Sequence, residues 1–153
     1  MRASPPTLAH VNLEVSDLER AKRFHDLFLP VLGFHLVPIT DAVWLGYRRG
    51  RMTLWFTESH PKRTRLGRPR VPTTGATDPI SNHLGFRVAT AAQVRTIERT
   101  LQNKGIAPVY GFSKVPTAGR TWYVSAAWRD PDNNVFEVYA SVSQARVQVR
   151  HRS

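Results

Sequence analysis

LAHVNLEVSDLERAKRFHDLFLPVLGF, residues 8 to 34, decides the fold because a second version of it, SNHLGFRVATAAQVRTIERTLQNKGIAP, occupies residues 81 to 108. Setting His10 opposite His83 pairs HVNLEV with HLGFRV, aligns two helical patterns, and brings LGF at 32–34 opposite KGI at 104–106. Gly33 follows His10 by 23 residues and Gly105 follows His83 by 22. Self-similarity of this kind means one supersecondary unit used twice. Each copy opens on an alternating strand, with Val11, Leu13 and Val15 in the first and Leu84, Phe86 and Val88 in the second. A polar residue placed to cap a helix comes next, Asp17 or Ser16 in the first copy and Thr90 in the second.

The helices carry spaced apolar positions, Leu18, Ala21, Phe24, Leu27 and Phe28, then Val94, Ile97 and Leu101. Each ends near a glycine, Gly33 or Gly105, where a helix C-cap belongs. Three short strands complete each copy, near 34–38, 42–48 and 51–57, then near 107–112, 121–129 and 134–140. The unit is βαβββ, twice, and the class is α+β. The expected organisation is a single domain over 1–153, with module one at 7–58, a linker at 59–81, module two at 82–141 and a basic tail at 142–153. Apolar faces of the opening strands pack on the helices, which leaves the opposite faces to form a shared concave surface.

Composition narrows the function classes. A hydrophobic share of 41% with four Trp, seven Phe and four Tyr is ample for a packed interior. No apolar run approaches the ~20 residues of a membrane span, and the opening MRASPPTLAHVNLEV lacks the apolar stretch of a signal peptide. A cytoplasmic protein is the expectation. With no cysteine, disulfides, thiolate metal sites and cysteine nucleophiles are excluded, and six His and eleven acids remain as metal ligands. A net charge of +11 suggests nucleic acid at first sight. The distribution argues otherwise: five cations crowd into KRTRLGRPR at 62–70, and Arg146, Arg150 and Arg152 sit in the tail, with no nucleic-acid module around either. A solvated loop, or a lid that attracts an acidic small molecule, suits the same charge.

Strand parity sorts the polar residues. If Val11, Leu13 and Val15 face the helix, His10, Asn12 and Glu14 face away; in the second copy His83, Gly85 and Arg87 do the same. Thr53, Trp55 and Thr57 turn away from Leu54 and Phe56. In the last strand, reached through the turn RDPDNN at 129–134, Glu137 and Tyr139 turn away from Phe136 and Val138. His10, His83 and Glu137 therefore emerge on non-core faces. Two imidazoles and one carboxylate with open positions form the facial triad that suits non-haem Fe(II) and also holds Mn, Zn or another divalent ion. The bland alternatives are strand histidines satisfied by backbone carbonyls and a cross-strand ion pair of Glu137 with Arg87 or Arg129. Trp44, Trp55, Trp122, Tyr123 and Trp128 suit a pocket for a flat apolar ligand, or core and dimer packing. His25, inside the first helix, reads as exposed or packed and not as a ligand.

The sequence resembles the vicinal oxygen chelate superfamily, which includes glyoxalase I, fosfomycin-resistance enzymes, extradiol dioxygenases and bleomycin-resistance proteins. The likeness rests on the two opening stretches and on WRDPDNNVFEVYA, which is similar to the family's Asp-Pro-Asp-Gly-(x)2-Glu ending with Asn133 and Asn134 where a Gly is usual. It implies an open, curled mixed sheet around a central cavity, a divalent metal (Fe, Mn, Zn or Ni) on His10, His83 and Glu137, and a homodimer. Whether the modules pair within one chain or across the dimer stays open. The fourth ligand place falls on Trp55, which neither ligates metal nor takes a proton, so a standard glyoxalase I reaction is not implied. Extradiol dioxygenases and fosfomycin-resistance enzymes carry a tyrosine near Ala127, where this chain has none and Tyr123 lies four places off. A further catalytic histidine would fall on His60 and an anion-binding arginine on Arg146. Bleomycin-resistance proteins are acidic, unlike this chain.

The expected function is thus a metal-dependent enzyme (a dioxygenase, lyase or small-molecule transferase) acting on a small oxygenated, aromatic or acidic molecule. A metal-free protein of the same fold that sequesters a small molecule is the alternative. Tyr123 and Tyr139 are the candidates for moving protons, and Asn12, Trp55, Arg87, Trp122 and Trp128 for holding substrate.

Overall fold

The computed structural model describes residues 7–38, 43–59, 83–116 and 121–143. The basic run 62–70, His60, Arg146 and His151 lie outside them. In chain order the elements are β1 (His10–Val15), α1 (Leu18–Phe28), a 3-10 turn (Leu29–Leu32), β2 (His35–Leu36), β3 (Trp44–Arg49) and β4 (Met52–Glu58). Then come β5 (His83–Arg87), α2 (Ala91–Asn103), β6 (Tyr110–Pro116), β7 (Thr121–Arg129) and β8 (Val135–Ser143). Two four-stranded sheets result, ordered β1-β4-β3-β2 and β5-β8-β7-β6. The orders are the same element for element, so the sequence repeat is a structural repeat. By contacts the chain divides into two compact units, Met1–Asn82 with Arg129–Val135, and His83–Trp128 with Phe136–Ser153.

In the first unit β1 lies parallel to β4, and β4 and β2 lie antiparallel to β3. Burial along β1 alternates, with His10, Asn12 and Glu14 exposed and Val15 buried; β5 alternates likewise, with His83, Gly85 and Arg87 exposed. Val11 opposes Leu54 and Leu13 opposes Phe56, so the inner face of β1 is apolar against apolar. Leu54, Phe56, Leu45 and Tyr47 are buried there, each large side chain contributing about 1.5–3 kcal/mol when fully withdrawn from water. In the second unit the rings of Phe86 and Phe136 stack with centroids 6.3 Å apart.

The helix ends follow from their capping residues. Asp17 is the N-cap of α1, its Oδ1 accepting from the Arg20 N–H at 2.8 Å, while Ser16 Oγ accepts from the Arg20 guanidinium instead. Thr90 caps α2 with a reciprocal box: its Oγ1 accepts from the Gln93 N–H and Gln93 Oε1 accepts from the Thr90 N–H. Gly33 and Gly105, at φ 81° and 80°, take the left-handed conformation. At α2 the Gly105 N–H donates to Gln102 O and the Ile106 N–H to Leu101 O; after the 3-10 turn the Gly33 N–H donates to Pro30 O and the Phe34 N–H to Leu29 O. Both copies thus end in the same Schellman arrangement, which requires the glycine and buries the apolar residue after it. This is the physical content of LGF opposite KGI.

Two expectations about the first helix need correction. It stops being α-helical at Phe28, because Pro30 has no N–H to donate and the chain tightens into a 3-10 turn. Its buried stripe is Ala21, His25 and Phe28, with Leu27 39% exposed. At 100° per residue those three lie within a narrow arc, and Leu27 falls well outside it. His25 is therefore packed, not exposed.

Candidate functional site

The turn before β8 is built around one carboxylate. Asp130 Oδ1 accepts from the Asp132 and Asn134 N–H groups at 2.9 and 2.8 Å, and Oδ2 accepts from Asn134 Nδ2 at 2.8 Å. The Asp130 N–H donates to Asn134 O, and the Asn133 N–H donates to Asp130 O. Burial alone would push the Asp130 carboxyl up; hydrogen bonds from His25 and Asn134 outweigh it and hold it below the usual range. Asn133, at φ 66°, takes the left-handed conformation. The chain leaves this turn as β8 and presents Glu137.

Glu137 is buried, at 2% exposure, and both of its oxygens are engaged. Oε1 accepts from the Tyr110 hydroxyl at 2.7 Å. Oε2 accepts from the Tyr123 hydroxyl at 2.5 Å and lies 3.1 Å from His83 Nε2. Tyr110 also meets Ser125 Oγ at 3.2 Å, and the Tyr123 ring stacks on Tyr139 with centroids 5.0 Å apart. Gly85 leaves room for this group: a Cβ there would come within 3.2 Å of the Tyr139 ring and 3.8 Å of Glu137 Oε2. The Tyr123 phenol is pushed up, first by burial and then by its bond to Glu137 and that group's charge. Tyr123 consequently keeps its proton and serves as a donor. The His83 side chain is 31% exposed, so the cluster is reached from outside through the imidazole.

In the first unit, rows across the sheet read His10–Thr53–Arg48, Asn12–Trp55–Gly46 and Glu14–Thr57–Trp44. The Trp55 ring lies over Gly46, where a Cβ would stand 2.3 Å from it, and Trp44 meets it edge-on with centroids 6.2 Å apart. Thr57 Oγ1 donates to Asn12 Oδ1 at 3.4 Å. A cleft of about 260 Å³ is lined by Asn12, Glu14, Trp44, Thr57 and Glu58, among others.

The second unit thus brings together His83, Glu137, Tyr123 and Tyr139, and the first sets His10, Asn12 and Trp55 side by side. Arg87 is exposed on β5, on the His83 face. Trp122 and Trp128 alternate with Tyr123 along β7 and so take the other face. Trp128 is fully buried, and Lys114 Nζ lies 4.4 Å from the Trp122 ring centroid. Neither joins the Glu137 cluster, and for Trp128 the core-packing alternative holds. Tyr110 escaped the sequence reading. It is the cross-strand partner of Ala127, so a neighbouring strand supplies a phenol opposite the very position where a tyrosine was missing. The bulge between Tyr110 and Ser113 breaks the alternation by which its direction would have been read.

Among the described residues no group of three His, Asp or Glu side chains is arranged to hold a metal ion. His83 Nε2 and Glu137 Oε2 nevertheless fit as a pair. Two donors bound to one divalent ion at right angles stand about 3 Å apart, and these stand at 3.1 Å.

A family model described as Glyoxalase/Bleomycin resistance protein/Dioxygenase superfamily matches residues 7–138. No curated protein matches the chain significantly. Among solved structures, a lactoylglutathione lyase from Agrobacterium tumefaciens superposes with TM-score 0.62 at 21% identity, over 90% of this chain and 96% of that one. A glyoxalase/bleomycin resistance protein/dioxygenase from Alicyclobacillus acidocaldarius gives 0.62 at 16% identity, over 92% and 94%. A virulence protein from Salmonella typhimurium gives 0.60 at 26% identity, over 92% and 100%. The α+β architecture of two βαβββ modules expected from the sequence repeat is the fold of these proteins. Among the described residues no helix is long and apolar enough to cross a membrane.

Proposed function

The chain belongs to the Glyoxalase/Bleomycin resistance protein/Dioxygenase superfamily, and from that premise we propose that it is a divalent-metal-dependent enzyme acting on a small oxygenated molecule. His83 and Glu137 would hold the ion, with His10, the counterpart of His83 in the repeat, as the third ligand. The observation that carries the reading is a buried carboxylate facing an accessible imidazole at 3.1 Å. The ion would supply Lewis-acid polarisation of neighbouring substrate oxygens. The chain supplies the rest. Tyr110 and Tyr123 fix the carboxylate, the Tyr123–Tyr139 pair offers a flat apolar wall, and Arg87 offers a cation to an acidic substituent. Trp55 stands where a second carboxylate would be, and an indole accepts no proton, so a mechanism with a general base at that place is not proposed.

The test is metal content. Protein stripped with chelator and reloaded with Fe(II), Mn, Zn or Ni is expected to retain one of them stoichiometrically. His83→Ala and Glu137→Ala are expected to lose it, and His10→Ala to bind it more weakly. Retention of none of the four by the wild-type chain overturns the reading.

A specific observation favours a second reading, a metal-free binding protein. Both Glu137 oxygens already accept hydrogen bonds, so the carboxylate is satisfied by the protein itself. That reading expects small-molecule affinity unchanged by chelator and by His83→Ala.

A further inference from the structure

We infer that the non-core face of the first sheet binds a flat ring carrying one anionic group, the group held by Arg48 and the ring laid on Trp55. Residues paired in register put their side chains on the same side of a sheet. His35 pairs with Arg48 and completes the first row, His10–Thr53–Arg48–His35, which crosses all four strands and holds no acid. Arg48 is exposed, and its Nε donates to Oγ1 of the buried Thr53 at 3.2 Å. That bond holds the guanidinium against the sheet and leaves its two terminal nitrogens, a fork that suits a carboxylate or phosphate. Among the described residues no carboxylate pairs with Arg48.

The next row supplies the flat surface. Trp55 reaches from β4 onto Gly46 of β3, where a Cβ would stand 2.3 Å from the indole, so only glycine lets the ring lie there. The indole is half-buried, and with Gly46 beneath one face, what remains exposed is turned away from the sheet. Gly46 and Arg48 stand two residues apart on β3, about 7 Å along the strand. An acid group on the Arg48 fork therefore leaves a ring attached to it above the indole, where aromatic pairs gain beyond the area they bury. The row beyond carries Glu14, and Glu14 and Glu58 line the cleft there. A second anionic group on the ligand would meet like charge in it. No ion takes part, so this site is independent of the one proposed at His83 and Glu137.

Benzoate is the probe, titrated into the full chain and followed by proton–nitrogen NMR. Chelator is present throughout, so failure here does not touch the metal reading. Wild type is expected to bind benzoate with shifts at the Trp55 indole N–H and the Arg48 Nε–H. Benzamide, which lacks the charge, is expected to bind about tenfold more weakly, and cyclohexanecarboxylate, which lacks the flat ring, about threefold. Arg48→Gln is expected to weaken benzoate about tenfold and Trp55→Leu about threefold. Arg49→Gln removes the same charge beside Gly33, on the opposite face, and is expected to change little. Terephthalate, with a second carboxylate across the ring, is expected to bind more weakly than benzoate; tighter binding overturns the restriction to one anionic group. Benzoate affinity unchanged in a folded Arg48→Gln, or lost equally in Arg49→Gln, overturns the site, as does a wild-type chain that binds no benzoate. If neither Arg48→Gln nor Trp55→Leu folds, the wild-type comparison decides: benzamide or cyclohexanecarboxylate binding as tightly as benzoate overturns it.

Discussion

Asn133 shows how much a single residue reveals. Its φ of 66° is the conformation that glycine adopts freely and asparagine tolerates. Asn133→Gly is expected to leave the midpoint of urea unfolding nearly unchanged, whereas Asn133→Val is expected to lose about 1–2 kcal/mol, the strain of a branched side chain in that region. Parity alone puts His10 and His83 on the exposed faces of β1 and β5. Along β7 the same parity sets Trp122 and Trp128 on the face opposite Tyr123, and Trp128 takes the core-packing alternative. Tyr110 was not legible by parity, since a bulge interrupts the alternation before it reaches that residue.

At the scale of elements, the caps were readable because they depend on a few consecutive residues. Asp17 accepts one backbone N–H at the start of α1 and Thr90 one at the start of α2. Asp17→Ala and Thr90→Ala are each expected to lower stability by about 1 kcal/mol in chemical denaturation. Gln93 Oε1 accepts from the Ala89 and Thr90 backbone N–H groups, which Thr90→Ala leaves in place, so Gln93→Ala is expected to add its own cost in the double variant. The helix stripe was read less well. Counting apolar residues favoured Leu27, but the 100° turn per residue selects Ala21, His25 and Phe28. His25 reads from the sequence as exposed or packed, and the choice falls to packed through a partner, Asp130, on a distant segment of the chain.

That partner belongs to the scale of the whole molecule. His25 Nε2 stands 3.4 Å from Asp130 Oδ2, both side chains fully buried, and the His25 ring lies 4.1 Å, centroid to centroid, from that of Phe56. Burial pushes the imidazole below 6.5, against the pull of Asp130, Asp132 and Asp26. The folded chain therefore takes up a proton at His25 less readily than the unfolded chain. The stability this contributes is complete above pH 6.5 and is lost as the pH falls through the lowered value. Asp130, also held low, adds loss of the same sign at more acid pH. Unfolding midpoints measured from pH 8 to 5 are expected to fall with acid, and His25→Gln to flatten that fall. The sequence by itself determined the repeat, the order of elements, the caps and the faces of β1, β5 and β8, because strand alternation and capping depend on neighbours in the chain. Only the tertiary structure decided that His25 is buried against Asp130 and that Tyr110 and Tyr123 close on Glu137. Those contacts join residues remote in sequence, and their geometry is set by strand pairing and a bulge that no local pattern encodes.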